Sequence, residues 1–173
     1  HRANAVHQRL RNRDQAELAY SLCESSIALF RELGDRWGLL NGLRMSGAIA
    51  RVRNNFDRAL PLLAQALELA REQGERRNIG SSLHDLGMTL YQRGQDLNQA
   101  KTLAEESIVV AVELGDRYGQ CQSFMLIARI YWRQRDYAKA KMHFENALAI
   151  VHEMGTEQSA AECLYSLAAA ANA

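Results

Sequence analysis

The phrase "LGDRWG" at residues 33–38 returns as "LGDRYG" at 114–119, with "QGERRN" at 73–78 and "MGTEQS" at 154–159 in the equivalent places. Its glycines, Gly34, Gly74, Gly115 and Gly155, lie 40, 41 and 40 residues apart. Self-similarity at a fixed period of this size confines a chain to a solenoid or array. Each repeat is one supersecondary unit that buries its apolar face only against its neighbours.

Every one of these glycines follows a long amphipathic stretch. In "FDRALPLLAQALELAREQG", Ala59, Leu63, Ala66, Leu67 and Ala70 fall on one helical face. Glycine tolerates the left-handed conformation that closes a helix. Asp35, Glu75, Asp116 and Thr156 come next. Asp and Thr can cap the following helix with a side-chain oxygen, and an acid there suits the helix dipole. The phrase therefore predicts a helix–turn–helix joint, written once per repeat.

A second joint alternates with the first, as "RNRDQAELA" (11–19), "RNNFDRA" (53–59), "RGQDLNQA" (93–100) and "RQRDYAKA" (133–140). Its Asn and Asp residues supply turn and cap. Ala19, Ala59, Ala100 and Ala140 each stand fifteen residues before a joint glycine, and one extra residue in the third of these turns accounts for the interval of 41. The spacing predicts a partial helix at 1–12, then helices at 15–33, 36–53, 56–73, 76–93, 97–114, 117–134, 137–154 and 157–172. Helices that follow the Gly phrase are termed A helices and the others B helices. The pairing is then 1–33, 36–73, 76–114 and 117–154 in one repeat domain, with 157–172 an A helix lacking its partner. Ala, Leu, Glu, Arg and Gln dominate the chain, all strong helix formers, and proline occurs once. That proline, Pro61, lies past the first turn of its B helix, which predicts a kink or a start delayed to 57–58.

The residues on these helices resemble the tetratricopeptide family, whose pattern is W-x2-L-G-x2-Y on the first helix and A-x3-F on the second. Phe124, Ile127, Ala128 and Tyr131 follow the first part closely, and Leu83, Leu86, Gly87 and Leu90 follow it with Leu in the aromatic places. Leu43, Gly47 and Ala50, and Leu164, Leu167, Ala168 and Ala171, match weakly. Ala140 with Phe144, and Ala59 with Leu63, match the second part. Gly47, Gly87, Ala128 and Ala168 stand thirteen residues after each joint glycine. Small residues there, with the Ala that opens each B helix, let two helices approach closely. The period exceeds the family's 34 by about six residues, and the Gly-Asp-Arg joint stands where the family carries Pro. Long repeats of this kind resemble those in sensor arms of bacterial signal-transduction ATPases and LuxR-type transcription regulators, and in animal adaptors that orient the mitotic spindle. A HEAT-type array has a compatible period but does not predict the paired small residues. The resemblance implies an all-α, right-handed superhelical solenoid of antiparallel helix pairs.

No nucleotide-binding loop, HExxH pair or GxSxG elbow is present. His143 and His152 are nine apart, which is not metal-ligand spacing, and the adjacent Glu105 and Glu106 point apart on a helix. A non-catalytic chain without cofactor or metal is expected. The net charge of +1 makes no electrostatic case for nucleic acid or anionic lipid, and no apolar run is long enough to span a membrane. Cys23, Cys121 and Cys163 form no CxxC pair and read as buried small hydrophobes in a reducing, cytoplasmic compartment. The arginine clusters Arg9/Arg11/Arg13, Arg51/Arg53/Arg58 and Arg129/Arg133/Arg135 flank the inter-helix turns, where cations complement helix C-termini.

The resemblance also implies that the A helices line a concave groove that grips peptides. Positions three and four apart share a helix face. The expected lining is Asn41, Arg44 and Arg51, then His84, Met88 and Tyr91, then Gln122, Met125, Arg129 and Trp132, and Tyr165 on the last helix. The expected function is a protein- or peptide-binding scaffold, the sensor or adaptor arm of a larger signalling or transcription-regulatory protein of which this chain is a fragment. Its partner would be acidic with an apolar anchor. A small-ligand sensor is the alternative and should show a deep apolar pocket. An RNA-binding array is a third, and its binding should fall steeply with salt. Leu164 and Leu167, left uncovered on the unpaired last helix, predict self-association through the ends, which light scattering would measure.

Overall fold

The computed structural model describes residues 2–155, and side chains from Leu18 onward. Seven helices occupy that span: α1 (Arg2–Leu33), α2 (Arg36–Val52), α3 (Phe56–Gln73), α4 (Arg76–Arg93), α5 (Leu97–Glu113), α6 (Arg117–Arg133) and α7 (Tyr137–Met154). The A helices are α2, α4 and α6. The expected helix 157–172 lies outside the described residues, as do Leu164, Leu167 and the self-association they predict. The chain divides into two compact units between Leu69 and Ala70, within α3.

The joints close the helices by one recurring device. After α1, the Asp35 amide donates to the Phe30 carbonyl at 2.9 Å and the Gly34 amide to Arg31 at 3.3 Å. The same 6→1 and 5→2 pair follows α5, from Asp116 to Ala111 and from Gly115 to Val112. This is the Schellman closure, and its pivot must be left-handed. Gly34, Gly74, Gly115 and Gly155 accordingly have φ between 63° and 69°. Asn54 and Arg135 take the same role after α2 and α6, at φ 58° and 64°.

The helix starts are capped as the acids suggest. Asp35, Asp96, Asp116 and Asp136 accept the amides of Gly38, Gln99, Gly119 and Lys139 at 2.8–3.2 Å. Glu75 departs from this: its longer carboxylate accepts from the Asn78 side chain at 2.6 Å and makes no backbone cap.

The turn expected near residue 12 and the delayed start expected at 57–58 are corrected. α1 is unbroken from Arg2 to Leu33, with no turn near residue 12. Four residues before the small Ala, the working joints carry Asn55, Asp96 and Asp136, but the first carries Gln15, a poor N-cap. The first joint therefore offers no good side-chain cap at the place where the other joints start a new helix. α3 starts at Phe56 despite Pro61, with the Arg58 and Ala59 amides donating to Asn55. Pro61 and Asp57 are both exposed, so the carbonyl that loses its donor faces water.

In the first unit, Ile27, Leu43 and Ala66 join α1, α2 and α3, with Leu39, Leu62 and Leu69 packed beside them. Gly47 has no room for a side chain, since a Cβ there would lie 2.6 Å from Leu63 Cγ. In the second unit, α4 pairs with α5, α5 with α6, and α6 with α7. Ala100 and Ala140 are fully buried at the close approaches. A buried relay crosses three helices: Ser123 Oγ donates to Ser107 Oγ at 3.0 Å, which donates to the Gly80 carbonyl at 2.9 Å. Outside, Arg76 pairs with Glu113 and Arg117 with Glu153, each linking the start of an A helix to the end of the following B helix. These pairs are half exposed and contribute little individually.

On α7, His143 stacks on Tyr131 with ring centroids 5.5 Å apart and lies 5.9 Å from Phe124. Lys101 and Lys139 lie over the same Tyr131 ring. Burial lowers the His143 imidazole below its ordinary value, partly opposed by Glu105. The unfolded chain therefore takes up the proton first as pH falls. Stability should be fully present above the unfolded value of about 6.5, and should decline as pH drops from there through the lowered folded value. Urea unfolding across that range would measure the decline, and His143→Leu should flatten it.

Candidate functional site

The A-helix residues fall into two sets that follow the two units. In the first unit, Asn41, Arg44 and Arg51 are half-buried on α2. Asn41 Nδ2 donates to the Trp37 carbonyl at 3.0 Å, back onto its own helix. Both arginines have partners within the fold.

In the second unit, His84, Met88 and Tyr91 on α4 and Gln122 and Arg129 on α6 are all half-buried. Gln122 Nε2 donates to the Tyr118 hydroxyl at 2.6 Å. Met125 is a correction. It is 7% exposed and packs with Cys121, Ala128 and Phe144. The helical spacing that groups it with Gln122 and Trp132 also turns it toward α7, and the flexible thioether fills that core. Tyr165 lies outside the described residues.

Tyr91 and Trp132 do come together. Both line an open cleft of about 390 Å³ with Arg133, Arg135 and Tyr137. The cleft sits where α4 and α6 end and the α6–α7 turn begins. Trp132 is 41% exposed. Arg133 reaches back to the end of α4, where its Nη1 donates to the Tyr91 carbonyl at 2.8 Å. Its guanidinium carbon lies 5.7 Å from the Tyr91 ring centroid. That carbonyl is among the last four of α4, which the helix itself leaves without donors. Gly94 makes the approach possible. A Cβ there would lie 2.4 Å from Arg133 Nη2, and its φ of 76° suits glycine independently.

Arg133, Arg135 and Tyr137 were not expected in the site. The arginines flank a helix C-terminus, and Arg133 does cap one, but of the neighbouring A helix. The sequence signal was weak: a non-glycine pivot in "RQRD" beside an aromatic. The first unit has a smaller cleft of about 250 Å³, lined by Tyr20, Ala50, Arg53, Asn55 and Arg58. Its charge is answered internally. Arg58 pairs with Glu24 at 3.3 Å and lies 4.0 Å over the Tyr20 ring, while the Tyr20 hydroxyl donates to Glu24. Burial and that acceptor raise the Tyr20 phenol above its usual range. Among the described residues, no group of His, Cys, Asp and Glu is placed to hold a metal ion, and no helix is long and apolar enough to cross a membrane.

Residues 39–111, from α2 to α5, match the tetratricopeptide repeat family model. Over that stretch the chain is similar to tetratricopeptide repeats. Solved structures extend the likeness in fold over nearly the whole chain. BtubC (BKLC) from P. vanneervenii superimposes with a TM-score of 0.76 at 17% identity, over 90% of this chain and 65% of that one. A Rap protein complexed with competence and sporulation factor gives 0.75 at 16%, over 90% and 49%. The tetratricopeptide-sensor STAND ATPase of Pyrococcus horikoshii gives 0.74 at 16%, over 90% and 26%. This chain thus spans about two thirds of the first and half of the second. At these identities the likeness establishes the fold, an all-α helical solenoid. No curated protein matches by sequence.

Proposed function

We propose that this chain is a non-catalytic scaffold that binds a protein or peptide, acting as the sensor or adaptor arm of a larger signalling or transcription-regulatory protein in the cytoplasm. The repeat family supports the scaffold reading, and the Rap and STAND structures, similar in fold, suggest the setting. The observation that carries the reading is Trp132, exposed beside Tyr91 with arginines around it. Trp and Arg are the residue types that anchor interfaces. The binding face comprises the half-buried residues of α4 and α6, with Arg129 on it; in the first unit, Asn41, Arg44 and Arg51 on α2 are proposed as partner contacts of their own. Its cationic members favour an acidic partner, whose charges steer encounter and whose apolar side chain supplies burial. An open cleft fits an extended segment better than an engulfed small molecule.

Trp132→Ala should weaken binding of the native partner by about 2 kcal/mol while leaving the thermal melt close to unchanged. Arg129→Glu should mainly slow association and alter its salt dependence. Titration paired with a melt of each variant measures both. A collapsed melt with unchanged binding per folded molecule would assign Trp132 to the core and defeat the reading.

A further inference from the structure

Three aromatic rings and two guanidinium groups line the cleft at the α6–α7 turn, and no carboxylate is among them. Arg133 is held in place by its bond to the Tyr91 carbonyl and its position over the Tyr91 ring. Arg135 is exposed and occupies the left-handed pivot, at φ 64°, that glycine fills at Gly34 and Gly115. A non-glycine residue there is strained, and such strain concentrates where a side chain serves function. The Schellman bonds around Arg135 are intact, from Asp136 to Tyr131 and from Arg135 to Trp132, both at 3.0 Å. The turn would therefore close as well, or better, with glycine. Closure does not explain the arginine.

Resting on the scaffold reading, we infer that this turn-edge cleft is the anchor site of the partner: it takes one aromatic or bulky apolar side chain against Tyr91, Trp132 and Tyr137, with carboxylates beside it in the partner chain meeting Arg133 and Arg135. The volume suits a side chain rather than a folded element. The site lies at the C-terminal ends of two A helices and not along their length. The partner therefore crosses the edge of the hairpins at this point. The first unit's cleft does not compete for the same chemistry, because Glu24 already neutralises Arg58.

Arg135→Gly separates the inference from a purely structural role. It should raise the melting temperature by about 2–4 °C, through relief of the left-handed strain. The probe is a short acidic peptide with one central Phe, titrated against the Trp37→Phe chain so that fluorescence reports Trp132 alone. A saturable change is expected. The same peptide with Gly for Phe should bind about tenfold more weakly, and Arg135→Gly should weaken the Phe peptide by about tenfold. Equal binding of the Gly peptide, unchanged affinity in Arg135→Gly, or preference for an oligothymidylate strand would each overturn the assignment. With the native partner, sensitivity to Arg129→Glu but not to Arg135→Gly removes the anchor site and leaves the scaffold. Insensitivity to both removes the two together.

Discussion

Phe144→Ala should lower the stability of the chain by about 3–5 kcal/mol, the largest loss expected from any single truncation here. Phe144 is 2% exposed and packs among Cys121, Met125, Ala128, Ala140, Ala147, Ile150 and Val151. Four of those neighbours sit on its own helix and the rest on α6, and three are already alanines. Small, helix-anchored neighbours cannot expand into the vacated space, so the cavity persists and its cost adds to the lost burial. Phe144→Met, close to volume-conserving, should cost less than about 1.5 kcal/mol. Urea denaturation gives both values. Amide exchange should show the loss concentrated in α6 and α7. A Phe144→Ala loss below that of Phe144→Met would mean that the helix pair closes over the gap.

Gly87→Leu should be comparably damaging, by about 3 kcal/mol. A Cβ at Gly87 would meet the Ala100 carbonyl oxygen at 3.1 Å, Leu103 Cβ at 3.3 Å and Leu126 Cδ2 at 3.4 Å. The first of these is backbone and the second is fixed to it, so neither can swing aside. A leucine would have to push α5 away from α4, and α6 would lose contact through Leu126. Gly87→Ala is more nearly balanced. The tight contacts are opposed by a helix-propensity gain of about 1 kcal/mol. Gly47 is the instructive comparison. A Cβ there would lie 2.6 Å from Cγ of Leu63, a fully buried side chain with no open space to turn into. Gly47→Leu should therefore cost at least as much as Gly87→Leu in parallel denaturation curves.

Helix order was legible because the joints are written in residues with one dominant conformational use. Glycine at the pivots and Asp one or two residues later define where helices stop and start. The first joint misled because "RNRD" looks like "RQRD", while the capping place four residues before Ala19 holds Gln15. The site was legible only in part. Heptad-like spacing places Tyr91, Gln122 and Trp132 on presented faces, but it cannot say that Met125, at the same nominal face, is turned into α7. Nor could spacing reveal Arg133. Its role depends on contact with a carbonyl 42 residues earlier and on a glycine that leaves room for it. Arg135 and Tyr137 enter the cleft through the shape of a turn, which a helical wheel does not represent.

The extra residue of the third hairpin turn, within 94–96, has a bearing on how such a chain can change. Each residue of an α-helix advances the side-chain direction by about 100°. An insertion inside α5 would rotate everything beyond it and carry Leu103, Ala104 and Ser107 out of contact. Placed between Gly94 and Asp96, it leaves Ala100 still fifteen residues ahead of Gly115, in phase with the other repeats. Angular phase is thus kept within the helices, and length is free to drift between them. Copies of a duplicated unit can grow unequal without ceasing to stack.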